Sequence, residues 1–532
     1  MLSRADLTGS VGLTSALTSY QLEEIIKDYK FSPATLAFKL ENRKVQPGMP
    51  LRWYPSPHLM FISLKIAMGI AKGNARIIVS APPRHGKSKI STIHTPVWGL
   101  ERFPEYHFVL ATYGADLSMD FGRDVMGLIN DNSDLLSVRL HEDVQRAAKF
   151  MTDVGGAMTS VGLGGPITGR GADVLIIDDY IKEIKEAMSP AYKEYLWNWF
   201  VTTAMTRLEP NASVIIVATR WVDDDLIGQI VKNFPGEWEY ICLPAIAEED
   251  DPLGREPGEA LFPERYDEKA LNERKRLLGS LWFDAIYQQK PHPAGGKLGN
   301  RNWVLPIDKV PEQATLKLLR IWDLASTPGG GDPTTGGLLG LDTQTNNVYL
   351  LNVIRKHLGP AGVEDLVYNT AEVEGKQTAI CIEREPGSSG KIVAENYINN
   401  VLRGFTVSDF YSNEHKVVRA QPFLAAAEAG RFYMLKADWN EEFLKEFESF
   451  PDAEHDDQID VCAIGYAKFI GKIHLPATFG RRSRLRHAIE EARAQRLKTE
   501  APNIVQAPQT RSYGKIFRTI RGGSFGRQKR GG

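Results

Sequence analysis

Residues 76–88 read RIIVSAPPRHGKS. The first five, Arg76–Ser80, form a β-branched apolar run of strand type, and a helical pattern follows Ser88. A strand, a Gly-Lys-Ser loop and a helix in that order are the context a P-loop requires. In it, backbone amides of the loop and the helix N-terminus cradle phosphate oxygens. Lys87 is expected to reach the β- and γ-phosphates, and Ser88 to ligate Mg2+. Ala81 stands where the first glycine usually lies, and Pro82 and Pro83 have no amide to donate. The cradle must therefore come from Arg84, His85, Gly86, Lys87 and Ser88.

Working outward, Val174–Asp179 (VLIIDD) is a buried-type strand ending in two carboxylates. Asp178 is placed to hold Mg2+, and Asp179 to orient and activate an attacking water. Together with the loop they point to ATP hydrolysis. A further strand, Val214–Ala218, ends in Thr219, Arg220 and Trp221. Thr219 reads either as a γ-phosphate sensor or as a cap for the next helix. Arg84, Arg170 and Arg220 are candidate arginine fingers, with Arg84 best placed because it lies inside the loop. His107–Thr112 completes a set of near-continuous apolar strands alternating with helical segments such as Asp116–Asn130, the pattern of a parallel sheet covered on both faces.

The chain has 532 residues, too many for one core. Its 42% hydrophobic and 24% charged residues exclude a wholly disordered, collagen-like or disulfide-scaffold protein. Cys242, Cys381 and Cys462 are far apart, so neither a zinc site nor a disulfide framework is suggested, and a reducing compartment fits. The N-terminus lacks the apolar core of a signal peptide, and no run approaches a membrane span. The net charge of −2 is a sum of unlike parts. Residues 471–532 hold fifteen Lys/Arg against three Asp/Glu, net +12, while the other residues hold 49 against 63, net −14. A basic tail on an acidic body suggests a polyanionic partner.

We expect five regions: an N-terminal helical segment (1–50), an ATPase domain (51–290), a Pro/Gly-rich linker (291–306), a second α/β domain (307–475) and a basic, disordered tail (476–532). In the second domain, Leu316–Leu324 reads as a strand and Gly336–Leu341 with Asn347–Ile354 as an antiparallel hairpin. A helix (Gly362–Val373), a strand (Thr378–Glu383), a helix (Lys391–Leu402) and a strand (Thr406–Tyr411) follow. Asp323 and Glu383 end strands; Asp456, Asp457 and Asp460 lie in HDDQID at the start of a late helix, with Asp457 and Asp460 sharing a face. Carboxylates converging across one sheet suit hard divalent cations. Two such ions can clamp the attacking and leaving oxygens of a phosphodiester. The pattern matches an RNase H-like nuclease.

APPRHGKS, GRGADVLIIDDY (169–180), ATRW (218–221) and LWFDAIYQQKPHPAGG (281–296), followed by the acids in order, resemble the large terminase subunit of tailed bacteriophages over about residues 50–470. The resemblance implies an α/β chain with an ASCE-type P-loop ATPase followed by an RNase H-like nuclease. It implies an ATP-driven motor that moves double-stranded DNA into the procapsid through the portal protein and cuts concatemers. It further implies ATP with Mg2+ at the first site, two Mg2+ or Mn2+ ions at the second, a small terminase subunit as partner, a homo-oligomeric ring when docked, and work in the cytoplasm of the infected host cell rather than in the virion. Carried over, Lys87 and Ser88 match the phosphate and Mg2+ positions, Asp178 the Walker B aspartate, Asp179 the catalytic acid, and Ala218–Thr219 the coupling motif. Asp323, Glu383 and Asp457 match the nuclease triad, with Asp460 a fourth ligand; which HDDQID acid binds metal stays open. Tyr54 and His58 lie where an adenine contact is expected.

Two other readings compete. A helicase-like or repair ATPase with a fused nuclease shares both sites, but no set of helicase motifs follows ATRW. A non-enzymatic scaffold with a dead P-loop conflicts with Lys87, Ser88, Asp178 and Asp179 occurring together.

Overall fold

The computed structural model describes residues 28–471, except 47–48, 50, 166–170, 294–295, 325–332, 386, 413 and 454. Arg170 and the basic tail lie outside the described residues. The rest forms two compact units, 28–296 and 297–471.

The first unit is built on an eight-stranded sheet. Its strands are β1 (Arg76–Ser80), β2 (His107–Thr112), β3 (Leu140–Arg146), β4 (Lys149–Thr152), β5 (Ala157–Gly162), β6 (Ala172–Asp178), β7 (Leu208–Ala218) and β8 (Glu239–Cys242), in the order β3-β4-β5-β2-β6-β7-β1-β8. From β5 to β8 every pairing is parallel. Side chains alternate between faces, and each face has its own core. Ile77, Val79, Leu110, Ile176, Ile215 and Val217 join one cluster, while Ile78, Val109, Ala111, Ile177, Val214 and Ile216 join the other. The strand β7 separates the loop-bearing β1 from the acidic β6. Its register sets Ala218 opposite Ser80 and Val217 opposite Asp178. The P-loop, the acidic pair and Thr219 therefore leave the sheet at the same edge, beyond the carboxyl ends of the strands, where open parallel sheets bind ligands.

Part of the N-terminal segment belongs to this unit. The helix Pro33–Asn42 starts at a capping box in which Ser32 and Thr35 satisfy each other's backbone amides. It places Ala34, Leu36 and Ala37 fully inside the first core.

The second unit has a seven-stranded mixed sheet. Its strands are β9 (Leu305–Ile307), β10 (Leu316–Asp323), β11 (Thr334–Asp342), β12 (Val348–Lys356), β13 (Ala379–Glu383), β14 (Val407–Phe410) and β15 (Phe432–Leu435), in the order β14-β13-β10-β11-β12-β15-β9. β10, β11 and β12 are antiparallel, and β13 runs parallel to β10. The residues expected as linker up to 306 are largely part of this unit. The amide of Leu298 donates to Phe450 O at 2.9 Å, and β9 pairs with β15.

Each sheet face is covered by helices. Trp322 packs with Val363, Val367 and Ala371 of the helix Pro360–Glu374. Arg320, 2% exposed, points to the same side, where its guanidinium meets Glu374, Asn352 Oδ1 and Gly336 O. On the other face, Gly465 of the helix Asp457–Ile470 lies so close that an added Cβ would meet Leu339 and Ile321, and a Cβ on Gly337 would meet Val461. Residues 319, 321 and 323 of β10, and 335, 337 and 339 of β11, therefore face this helix. Among the described residues, no helix is long and apolar enough to cross a membrane.

Candidate active sites

In the first unit the loop after β1 turns sharply. Arg84 and Gly86 have φ of 67° and 86°, and Asp179, just past β6, has φ of 41°. Non-glycine residues in this left-handed region carry strain, which concentrates at functional sites. Lys87 is 5% exposed. Its Nζ donates to Thr219 Oγ1 at 2.9 Å and lies 3.5 Å from Asp179 Oδ1. Thr219 in turn donates to Ala81 O at 3.1 Å. Loop, acidic strand end and β7 end are thus tied by one ammonium. The capping alternative for Thr219 does not hold, because Asp225 caps the next helix, Leu226–Asn233, through the Gly228 amide at 3.0 Å.

Ser88 Oγ donates to Asp178 Oδ1 at 3.2 Å. The other oxygen, Asp178 Oδ2, is buried without a hydrogen-bond partner. Burial, and then the neighbouring Asp179 charge, push the Asp178 carboxyl well above its usual range, against the opposing pull of Lys87 and Ser88. An orphaned carboxylate oxygen beside a hydroxyl is a donor set that fits Mg2+.

His58 and Tyr54, the residues expected near an adenine, have these surroundings. His58 is fully buried, and its Nε2 donates to the His85 carbonyl at 2.8 Å while Ser56 Oγ lies 3.1 Å from its Nδ1. Desolvation lowers its pKa to about 3, so it is a neutral prop under the loop. Tyr54 packs edge-on against Phe38. His85 itself is buried, stacked on Tyr266 with ring centroids 5.2 Å apart. Of the arginine candidates, Arg84 is exposed in the loop. Arg220 is committed elsewhere: its Nε donates to Asp225 Oδ2 at 2.8 Å, and its other nitrogens to Tyr240 and to the carbonyls of Val222 and Asp223. The Gln-Gln pair after the helix Glu268–Ile286 also supports this edge, since Gln289 Oε1 accepts from the Arg220 amide at 3.1 Å.

In the second unit, register places the acids. Asp323 lies opposite Thr335, and Trp322 pairs with Ile382, so Asp323 and Glu383 end neighbouring strands on the face that receives Asp457–Ile470. Asp457 and Asp460 stand in the first turn of that helix. Burial and the charges of Glu383, Asp457 and Asp460 push the Asp323 carboxyl well above its usual range. Burial raises Glu383 to about 7, opposed mainly by Arg419. Burial also pushes the Asp460 carboxyl up, again opposed mainly by Arg419. Asp456 pairs with Lys416, its carboxylate 2.7 Å from Nζ.

Three residues that no motif flagged complete the cluster. Arg419, on the helix Lys416–Glu428, bonds both Glu383 and Asp460. Arg355 of β12 lies 3.7 Å from Asp457 Oδ2. Glu446 caps the acidic helix, accepting from the amides of Gln458 and Ile459 at 2.7 and 3.2 Å. Charge pairs between distant elements have no spacing signature, so the sequence could not expose them. Glu383 Oε2 and Asp460 Oδ1 are buried without hydrogen-bond partners. Oxygen-only donors with orphaned atoms suit a hard divalent cation. As they stand, no three His, Cys, Asp or Glu side chains among the described residues are arranged to hold one.

Comparison with known proteins bears on the assignment. The family described as "Terminase large subunit, T4likevirus-type, N-terminal" matches residues 78–304, and "Terminase RNaseH-like domain" matches residues 320–469. No curated protein sequence matches the chain. Among solved structures, the large terminase of thermophilic bacteriophage D6E is 13% identical, covering 79% of this chain and 100% of its own, with a TM-score of 0.44. The HK97 bacteriophage large terminase is 13% identical over 80% of this chain and 98% of its own (TM-score 0.34). An ATPase-domain mutant of the Thermus phage P74-26 large terminase is 12% identical over 49% of this chain and 100% of its own (TM-score 0.34). The assignment rests on the two family matches, each falling on the unit whose sheet and side chains have the corresponding form. The chain belongs to the large terminase subunits of bacteriophages, an ATPase-type P-loop unit joined to an RNase H-like unit.

Proposed function

We propose that this protein hydrolyses ATP to drive double-stranded DNA into a procapsid and cuts that DNA with its RNase H-like unit. The observation that carries the first half is the Lys87 ammonium, which links the P-loop to Thr219 just past β7 and to Asp179 just past β6. A γ-phosphate contacting Lys87 competes with Thr219 and Asp179 for the same cation, so phosphate binding and release are felt at two strand ends at once. Asp179 is the general base candidate for the attacking water, and Arg84 is the candidate for stabilising transferred charge. Arg84, His85, Gly86, Lys87 and Ser88 hold the phosphates. Ser88 and Asp178 would hold Mg2+, which would neutralise phosphate charge.

The second half rests on Asp323, Glu383, Asp457 and Asp460. They would hold one or two divalent cations, Mg2+ or Mn2+, whose charge would stabilise phosphodiester cleavage. With the family come further inferences: a portal protein and a small terminase subunit as partners, a ring of copies on the portal, and work in the infected cell's cytoplasm. Domain limits near 291–297 fit two activities on one chain. The test is a packaging assay with purified procapsids, ATP and linear DNA, scored by protection from added nuclease. ATP-dependent protection is expected. ATP turnover with strand separation on forked DNA and no protection would contradict the reading.

A further inference from the structure

The carboxylate cluster carries its own cation. Arg419 Nη1 donates to Glu383 Oε1 at 3.0 Å, and Nη2 donates to Asp460 Oδ2. Its side chain is 12% exposed. One guanidinium here spreads over two carboxylates from different elements. Each carboxylate keeps one buried oxygen without a hydrogen-bond partner, and Arg419 Nε has none either. A more deeply buried structural arginine looks different: Arg320 places its three nitrogens on Glu374, Gly336 and Asn352.

We propose that Arg419 is an exchangeable counterion. It neutralises Glu383 and Asp460 while the site lacks metal, yields those oxygens to a divalent cation, and leaves its guanidinium free for a DNA phosphate. This rests on the nuclease reading above. Buried charges need compensation, and removing it is costly. A guanidinium and a divalent ion compete for the same carboxylate oxygens. The present arrangement of acids holds no ready three-ligand set among the described residues, so some side chain must move, and Arg419 is the group bound to two of the acids. Arg355, the other guanidinium, is anchored by Glu442 at 2.6 Å and approaches Asp457 instead. Lys416 is engaged with Asp456 and the Pro451 carbonyl.

The experiment titrates Mn2+ into the full chain without nucleotide, by calorimetry or electron paramagnetic resonance. The nuclease site is identified as the binding that Asp323→Asn removes. Arg419→Gln should bind Mn2+ on the order of tenfold more tightly, because a charge-assisted competitor has gone. Arg419→Lys, a point charge that cannot bridge two carboxylates, should fall between. An unchanged calorimetric unfolding transition of the second unit reports that the variant is folded. Equal or weaker Mn2+ binding by folded Arg419→Gln overturns the proposal and makes Arg419 a fixed strut. Should that variant not fold, Arg419→Lys decides by the same criterion. If the wild-type protein shows no Mn2+ binding that Asp323→Asn removes, the metal-nuclease reading fails, and the exchange with it.

Discussion

The Lys87 ammonium is buried with oxygen neighbours from two other strand ends. Thr219 contributes a single hydroxyl, yet it is the link between the loop and β7. Thr219→Ala removes an acceptor from a buried charge and should lower the ATPase kcat by about tenfold to a hundredfold, using about 1.5–3 kcal/mol for a hydrogen bond to a charged group. Thr219→Ser keeps the hydroxyl and should restore most of the rate. Steady-state kinetics of the two variants check this, and equal losses in both would show that the hydroxyl is idle. His58 acts one step further back. His58→Ala leaves the buried His85 carbonyl without its donor, at a cost of about 1–3 kcal/mol. The expected result is a lower unfolding midpoint for the first unit and a raised KM for ATP.

Among the elements, the acidic helix depends on Glu446. Its carboxyl is buried and raised to about 7. A raised acid binds a proton more readily in the folded chain than in the unfolded one. Its contribution is therefore fully present below about 4.5, the unfolded value, and is lost as pH rises toward 7. The stability difference between wild type and Glu446→Gln should shift by at most about 3 kcal/mol over that window. Urea unfolding of both proteins at pH 4.5 and 7.5 checks it; a constant difference would contradict it. Gly336 sits against Trp322, where an added Cβ would lie 2.4 Å from the ring. Gly336→Ala should destabilise the second unit by about 1–3 kcal/mol through overpacking, and calorimetry should find the ATPase unit's transition unmoved.

The same elements explain what the sequence discloses. RIIVS, HFVLAT, VLII and VIIVA are buried on both faces and so appear as continuous apolar runs; all four are strands. The strand–helix alternation after Leu316 is likewise present, because each strand carries a covered face. β3 (LHEDVQR) lies at a sheet edge with most of its residues partly or fully exposed, and has no such signature. β8, β9 and β15 are only three or four residues long. The P-loop and acid positions are local motifs and were legible; Arg419, Arg355 and Glu446 matter through tertiary pairing and were not. His58 was legible as a position but not as a role, since only the fold reveals its carbonyl partner.

At the scale of the molecule, the net charge of −2 conceals a body in which acids gather where cations are to bind. On the packaging reading proposed above, DNA contact comes from local basic groups or from the +12 tail after Gly471, which lies outside the described residues. If the tail engages phosphates, truncation after Gly471 should weaken DNA binding most at low salt and flatten its salt dependence; an unchanged slope measured by fluorescence anisotropy would exclude that role.

The central claim is that one chain carries two chemically independent phosphate-handling sites. The direct measurement is ATP hydrolysis and plasmid nicking by the full-length Asp179→Ala and Asp323→Ala variants, each verified as folded. The account predicts that Asp179→Ala abolishes hydrolysis and still nicks, while Asp323→Ala hydrolyses ATP and no longer nicks. Loss of both activities in either folded variant would contradict it.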